Sequence, residues 1–158
     1  MQKGVIKEKT REMKQKILFT IYGLLQCTWG LPQTLLGAGL FLTQIRNPQF
    51  VYRGTLVTEW QRAGGISLGL FLFYHGGTPE LLRHEYGHTL QSLLLGPLYL
   101  PLVGLPSLLW SHLGVFRRKR AENSIPYSAL FCESWADRLG ARHAKNTAGE
   151  QELYPHGD

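Results

Sequence analysis

Hydrophobic and polar positions are spread unevenly along this chain. Two stretches, ILFTIYGLLQCTWGLPQTLLGAGLFLTQI (17–45) and SLLLGPLYLPLVGLPSLLWSHLGVF (92–116), contain no Lys, Arg, Asp or Glu. Each is long enough to cross a bilayer, which takes about 20 apolar residues. Both are interrupted where a straight span would be continuous. Gly30 and Pro32 divide the first near its middle, and Pro97, Pro101, Gly104 and Pro106 punctuate the second. Each half of the first run reaches about 20 Å as helix, short of a hydrocarbon thickness of about 30 Å. The pattern predicts an apolar hairpin over 17–45 and an apolar re-entrant segment over 96–116, each dipping into a membrane and returning. A cleaved signal peptide is a poor reading of the first run, because its polar leader is long and no small-residue cleavage site follows. The competing reading is a pair of core helices, which are usually shorter than this.

Between the runs the period changes. FVYRGTLVTEW (50–60) and ISLGLFLFY (66–74) are rich in β-branched and aromatic residues, and QRAGG separates them, so an antiparallel β-hairpin is expected over 50–74. A helix follows over 79–95, with Thr78 as cap, Pro79 and Glu80 in its first turn, and Gly96-Pro97 as its stop. A second is expected over 125–145, capped by Ser124 with Pro126 in its first turn. Residues 1–16 read as a basic amphipathic arm lying on lipid, and 147–158 as a flexible tail. The fold class is therefore α+β, mainly helical, in one domain.

Charge sharpens the picture only through its location. The net charge is +6, with a pI near 9.5. Lys14 and Lys16 precede the first apolar run and Arg46 follows it, while Arg83 precedes the second and Arg117 to Arg120 follow it. With both runs returning, all of these lie on one side, the expected cytoplasmic side of what the compact size and charge bias suggest is a bacterial inner membrane. The aromatic interleaving of a nucleic-acid groove is missing, so no nucleic-acid partner is expected. The lipid bilayer is expected as a partner. Two cysteines, Cys27 and Cys132, form neither a disulfide framework nor a C-x-x-C metal spacing.

The helix over 79–95 carries H-E-x-x-H at His84, Glu85 and His88. Four residues apart, the two imidazoles project from one face and can share a metal ion. Glu85 sits beside them, placed to take a proton from an activated water. The later helix holds Glu133 and Asp137, again four apart. A carboxylate from a separate helix would complete three protein ligands and leave a fourth zinc position open, as a catalytic site requires. Asp137 is placed to accept a hydrogen bond from the distal nitrogen of a ligand imidazole.

H-E-x-x-H paired with the downstream E-x-x-A-D-x-x-G of ESWADRLG resembles the gluzincin zinc metallopeptidases. Within them it looks most like the membrane-bound branch of CAAX-protease and heat-shock endopeptidase type, and minimal gluzincins are closer in size. The resemblance implies zinc (Zn2+) held by His84, His88 and Glu133, Glu85 as general base, Asp137 orienting an imidazole, and a zincin-like helix pair. It also implies an oxyanion-stabilising His or Tyr outside the motifs, for which His143, Tyr127 and His112 are candidates. Trp135 reads as core, Gly140 as a point of close helix packing and Arg138 as a solvated charge.

Zinc ligands lie about 2.0–2.2 Å from the ion, so Glu133 and the histidines share one side of any membrane, and the segment between them must return or be buried. The expected activity is hydrolysis of peptide bonds in peptide or membrane-protein substrates, with a substrate strand added at the edge of the 66–74 segment. A zinc-stabilised membrane scaffold without catalysis is the rival, and Glu85, useless to a closed structural site, discriminates against it.

Overall fold

The computed structural model describes residues 2–76 and 78–145, and the expected tail over 147–158 lies outside them. The chain begins with helices α1 (Gln2–Thr28) and α2 (Leu31–Thr43), followed by strands β1 (Gln49–Tyr52), β2 (Thr55–Trp60), β3 (Gly65–Leu68) and β4 (Phe71–His75). Helices α3 (Pro79–Leu95), α4 (Leu105–His112), α5 (Gly114–Glu122) and α6 (Phe131–Lys145) complete it. The α+β, mainly helical class is as expected.

The sheet corrects the expected hairpin. Each anticipated strand folds back on itself. Arg53 (φ 52°) and Gly54 (φ 84°) make a two-residue turn between β1 and β2, and Gly69 (φ 63°) opens another between β3 and β4. Positive φ at both central residues, or glycine at the first, is what tight hairpin turns demand. The two hairpins then join with β2 parallel to β4, giving a mixed sheet of order β1-β2-β4-β3. QRAGG is accordingly a crossover from β2 to β3, which are not neighbours. The sheet packs on α3 through Val57, Leu72 and Tyr74 against Leu82 and Tyr86.

The basic leader is not a separate arm, because α1 runs without a break from Gln2 into the first apolar run. The helix ends where expected, at an elbow containing Gly30, where a Cβ would strike the Gln26 side chain. Among the described residues no helix is long and apolar enough to cross a membrane. The burial of α1 and α2 is inverted relative to a soluble helix pair: Tyr22, Gln26, Gln33 and Thr34 are buried while Leu24, Leu35 and Leu36 are exposed. These buried polar groups bond largely to one another and to nearby backbone, with Gln33 Oε1 left without a partner. Gln26 Nε2 donates to the Thr89 carbonyl, Ser92 donates to Gln26 Oε1, Gln33 Nε2 donates to Ser92 Oγ and to the Gly96 carbonyl, and Tyr22 pairs with Thr55.

Helix α3 matches its expected bounds. Thr78 occupies the cap position, but its hydroxyl bonds back to the His75 carbonyl rather than to a free helix amide. The later helix starts at Phe131, six residues beyond the expected start at 125. Ser124 does not cap the later helix; at φ 51° it closes the end of α5, where the Ile125 N–H donates to the Arg120 carbonyl, and Pro126 precedes a short 3-10 turn (Tyr127–Ala129). The prolines of the second apolar run each fall in the first turn of a new element: Pro97 in a 3-10 turn, Pro101 in a π-type turn (Leu100–Gly104), and Pro106 in α4. Gly104 keeps helical φ and ψ and breaks nothing. This stepped path carries the chain back so that α6 lies antiparallel against α3.

Candidate metal centre

Helices α3 and α6 approach unusually closely, and two glycines permit it. A Cβ on Gly87 would meet the Ala136 backbone, and one on Gly140 would meet the Arg83 carbonyl. Gly140 thus has the packing role expected of it, and Trp135 packs in the small core of Tyr99, Val103 and Cys132. The two contacts flank the motif residues and fix which of them meet.

Glu133, fully buried, places Oε2 3.0 Å from His84 Nε2 and 3.2 Å from His88 Nε2, and the two Nε2 atoms are 3.1 Å apart. Asp137 Oδ1 lies 2.7 Å from His84 Nδ1. The structure brings the three expected ligands and the expected orienter together.

Hydrogen-bond logic settles where the imidazole protons lie. The Cys132 carbonyl can only accept, so Gln91 turns its NH2 towards it, at 2.7 Å, and its Oε1 towards His88 Nδ1, at 2.8 Å. An amide oxygen only accepts, so His88 Nδ1 carries hydrogen, and in the neutral ring its Nε2 is a lone pair. Asp137 does the same for His84. With both rings neutral, two imidazole lone pairs and a carboxylate oxygen converge, which is repulsive unless a cation lies among them.

A proton answers in part. Burial lowers the His84 pKa, but the Glu133 hydrogen bond, the Glu85 charge and the Asp137 hydrogen bond outweigh it and raise the ring to about 9. Burial pushes the Glu133 carboxyl up, yet hydrogen bonds to the two histidines hold it far below the usual carboxylate range. A divalent ion answers more fully. A tetrahedron with bonds of about 2.0 Å has edges of about 3.3 Å, close to the donor separations here. His84, His88 and Glu133 form a group able to hold a metal ion.

Glu85 takes no part in that triangle. Its buried carboxylate lies against edge strand β3, where a Cβ on Gly65 would collide with it, and burial raises its pKa despite the opposing charges of His88 and His84. The Ser67 hydroxyl stands 2.9 Å from Glu85 Oε2 and 2.7 Å from the Glu85 backbone carbonyl. It can donate to the ionised carboxylate, or accept from the protonated one while donating to the carbonyl.

Of the three oxyanion candidates, only Tyr127 borders the centre. Its phenol is raised by burial and by the charges of Glu133 and Glu85, with Ser107 between. His143 is ten residues beyond Glu133, about 15 Å along the helix, and packs on Tyr86. His112 pairs with Ser111 on its own exposed helix. The sequence reading missed Tyr99, a buried phenol that donates to the Ser67 carbonyl at 2.9 Å and feels the charges of Glu85 and Glu133. Its signal was a lone polar tip in the aliphatic stretch GPLYLPLVGLP. Gln91 was also missed, though it sits one turn beyond His88 on the same face. Comparisons with protein-family profiles, characterised proteins and solved structures return no match to this chain.

Proposed function

We propose that this chain is a zinc-dependent metalloendopeptidase that hydrolyses peptide bonds. The observation that carries the reading is the convergence of three lone-pair donors with a fourth group, Glu85, beside them yet outside the ligand set. A zinc ion held by His84, His88 and Glu133 would polarise a scissile carbonyl and make a water acidic enough to ionise near neutrality.

The chain's own residues do the rest. Glu85, with its pKa lifted by burial, takes the proton of the attacking water as oxygen bonds to the carbonyl carbon. It returns that proton to the amine nitrogen as the carbon–nitrogen bond breaks. Ser67 serves both states of the carboxyl, donating when Glu85 is ionised and accepting when it is protonated. Asp137 and Gln91 hold the imidazole tautomers.

The open edge of β3 supports a position for the substrate strand. His75 N–H donates to the Gly64 carbonyl, so alternation turns Ile66 and Leu68 towards β4 and the backbone of Gly65 and Ser67 outward. Those outward groups suit an extended peptide added as a further strand beside Glu85. Tyr99 already takes the Ser67 carbonyl, leaving the Gly65 groups and the Ser67 N–H as the pairing positions.

The test combines metal analysis of purified protein with a casein or self-cleavage assay. The reading expects one zinc per chain, lost in His84→Ala and Glu133→Ala, and a Glu85→Gln variant that keeps zinc and loses cleavage. Zinc retained with no cleavage by the wild type across several substrates would make the site structural. No stoichiometric zinc would end the proposal.

A further inference from the structure

Helices α1 and α2 wear their polarity inside out. Buried positions run Tyr22, Gln26, Gly30, Gln33, Thr34 and Gly37, a stripe at helical spacing facing the protein. The opposite side shows Ile21, Leu24, Leu25, Trp29, Leu35 and Leu36, all exposed. Such helices turn hydrogen-bonding groups inward and hydrocarbon outward because their surroundings offer no hydrogen bonds.

The apolar face does not stop at α2. Gln33 donates to the Gly96 carbonyl, and the Trp29 ring packs so tightly on Gly96 that a Cβ there would clash. From that contact the surface continues through exposed Leu98, Leu102, Leu105 and Leu109. Nearly every exposed large apolar side chain among the described residues falls in or beside these two stretches, and the sheet adds only Val51. Monomeric soluble proteins rarely expose so continuous a patch.

We infer that this face is seated in one leaflet of an anionic lipid bilayer, without crossing it, so that the metal centre lies at headgroup level. Depth follows from length. Helix α2 has 13 residues, about 20 Å, and no described helix can span. Charge selects the occupant. Lys14 and Lys16 border the face at its start, Arg46 follows α2, and Arg117, Arg118 and Lys119 follow α4, while 17–45 and 92–116 hold no acidic residue. A second copy of the chain would bring these cations against one another, whereas anionic headgroups would neutralise them.

The centre is within one helix of that surface. On α4 the Ser107 hydroxyl lies beside Glu133 and Tyr127, while Leu105, Leu108 and Leu109 on the same helix are exposed. Polypeptide emerging from the bilayer is therefore the substrate class within reach, a clause that rests on the proposed hydrolysis. The seating itself does not.

Flotation of the full chain with phosphatidylcholine vesicles, with and without phosphatidylglycerol, tests it. Wild type should float with the anionic vesicles, several-fold less with neutral ones, and less again at high salt. Leu35→Glu/Leu36→Glu points outward and should fold, yet lower partitioning at least about tenfold. Val51→Glu on the sheet, and His84→Ala at the centre, should float as wild type, so a failed hydrolysis reading leaves this result standing. An environment-sensitive fluorophore on exposed Cys27 should shift to the blue on binding. Flotation undiminished by the double substitution, or a wild type that ignores vesicles and forms a stable dimer in buffer, would overturn the inference.

Discussion

Gln91 donates to the carbonyl of Cys132 across 2.7 Å, tying α3 to α6 one residue before Glu133. The same amide accepts from His88. One buried side chain thus fixes a histidine tautomer and the position of the carboxylate that meets it. Gln91→Leu keeps the shape and removes both bonds. Zinc affinity should fall about 10- to 100-fold, read by chelator competition, and far-UV dichroism should be unchanged. Gln91→Glu can still accept from His88 and should recover part of the loss. Equal affinity in all three proteins would mean that the amide only fills space.

Ser67→Ala separates proton handling from metal holding. The hydroxyl bond to Glu85 lowers that carboxyl's pKa against the upward push of burial, so its loss raises the pKa further. A base must be ionised to act, so the acidic limb of the kcat/KM profile should move to higher pH. The plateau should fall about tenfold, as for loss of a hydrogen bond to a charged group worth about 1.5 kcal/mol. Zinc content should be unchanged.

These assignments show what was legible in the residues. His84, Glu85, His88, Glu133 and Asp137 could be read because helical periodicity converts spacing into a shared face, and Pro79 and Gly96 marked the ends of α3 to the residue. The sheet was misread because Gly54 and Gly69 lie inside runs of strong strand formers, where a turn and a bulge look alike until the partner strand is known. Ser67 and Tyr99 reach the centre from β3 and from the stepped segment before α4, so only the tertiary contact reveals them. The late start of α6 had a local cause, the extended backbone of Pro126 (ψ 154°) and Leu130 (ψ 134°) on either side of a short 3-10 turn, to which composition gives no clue.

Gly87→Ala tests whether close helix approach sets the ligand geometry. The added methyl would face the Ala136 backbone, which cannot rotate aside, so α6 must move outward. Overpacking of this kind costs about 1–3 kcal/mol. The denaturation midpoint of the metal-free protein should drop accordingly, and zinc affinity should fall as well, because Glu133 rides on the displaced helix. Gly39→Ala on α2 has open space around it and a better helix former in place, so it should not lower the midpoint.

In the metal-free protein a proton substitutes for the missing cation, which gives its stability a distinctive pH profile. The His84 pKa is raised from 6.5 to about 9, so its contribution is complete below about pH 6.5 and disappears as pH rises through 9. The Glu133 pKa is depressed, so its contribution is present above about pH 4.5 and disappears in stronger acid. From these two groups stability without metal should peak between about pH 4.5 and 6.5 and decline towards pH 9 by on the order of 3 kcal/mol, and the raised carboxyl of buried Glu85 adds to the decline above about pH 4.5. Zinc reverses the trend on the alkaline side, because protons compete with it for the same lone pairs and its hold tightens as they leave. Urea melts from pH 5 to 9, with chelator and with excess zinc, should give curves that diverge as pH rises. Parallel curves would mean that the converging donors do not share a cation.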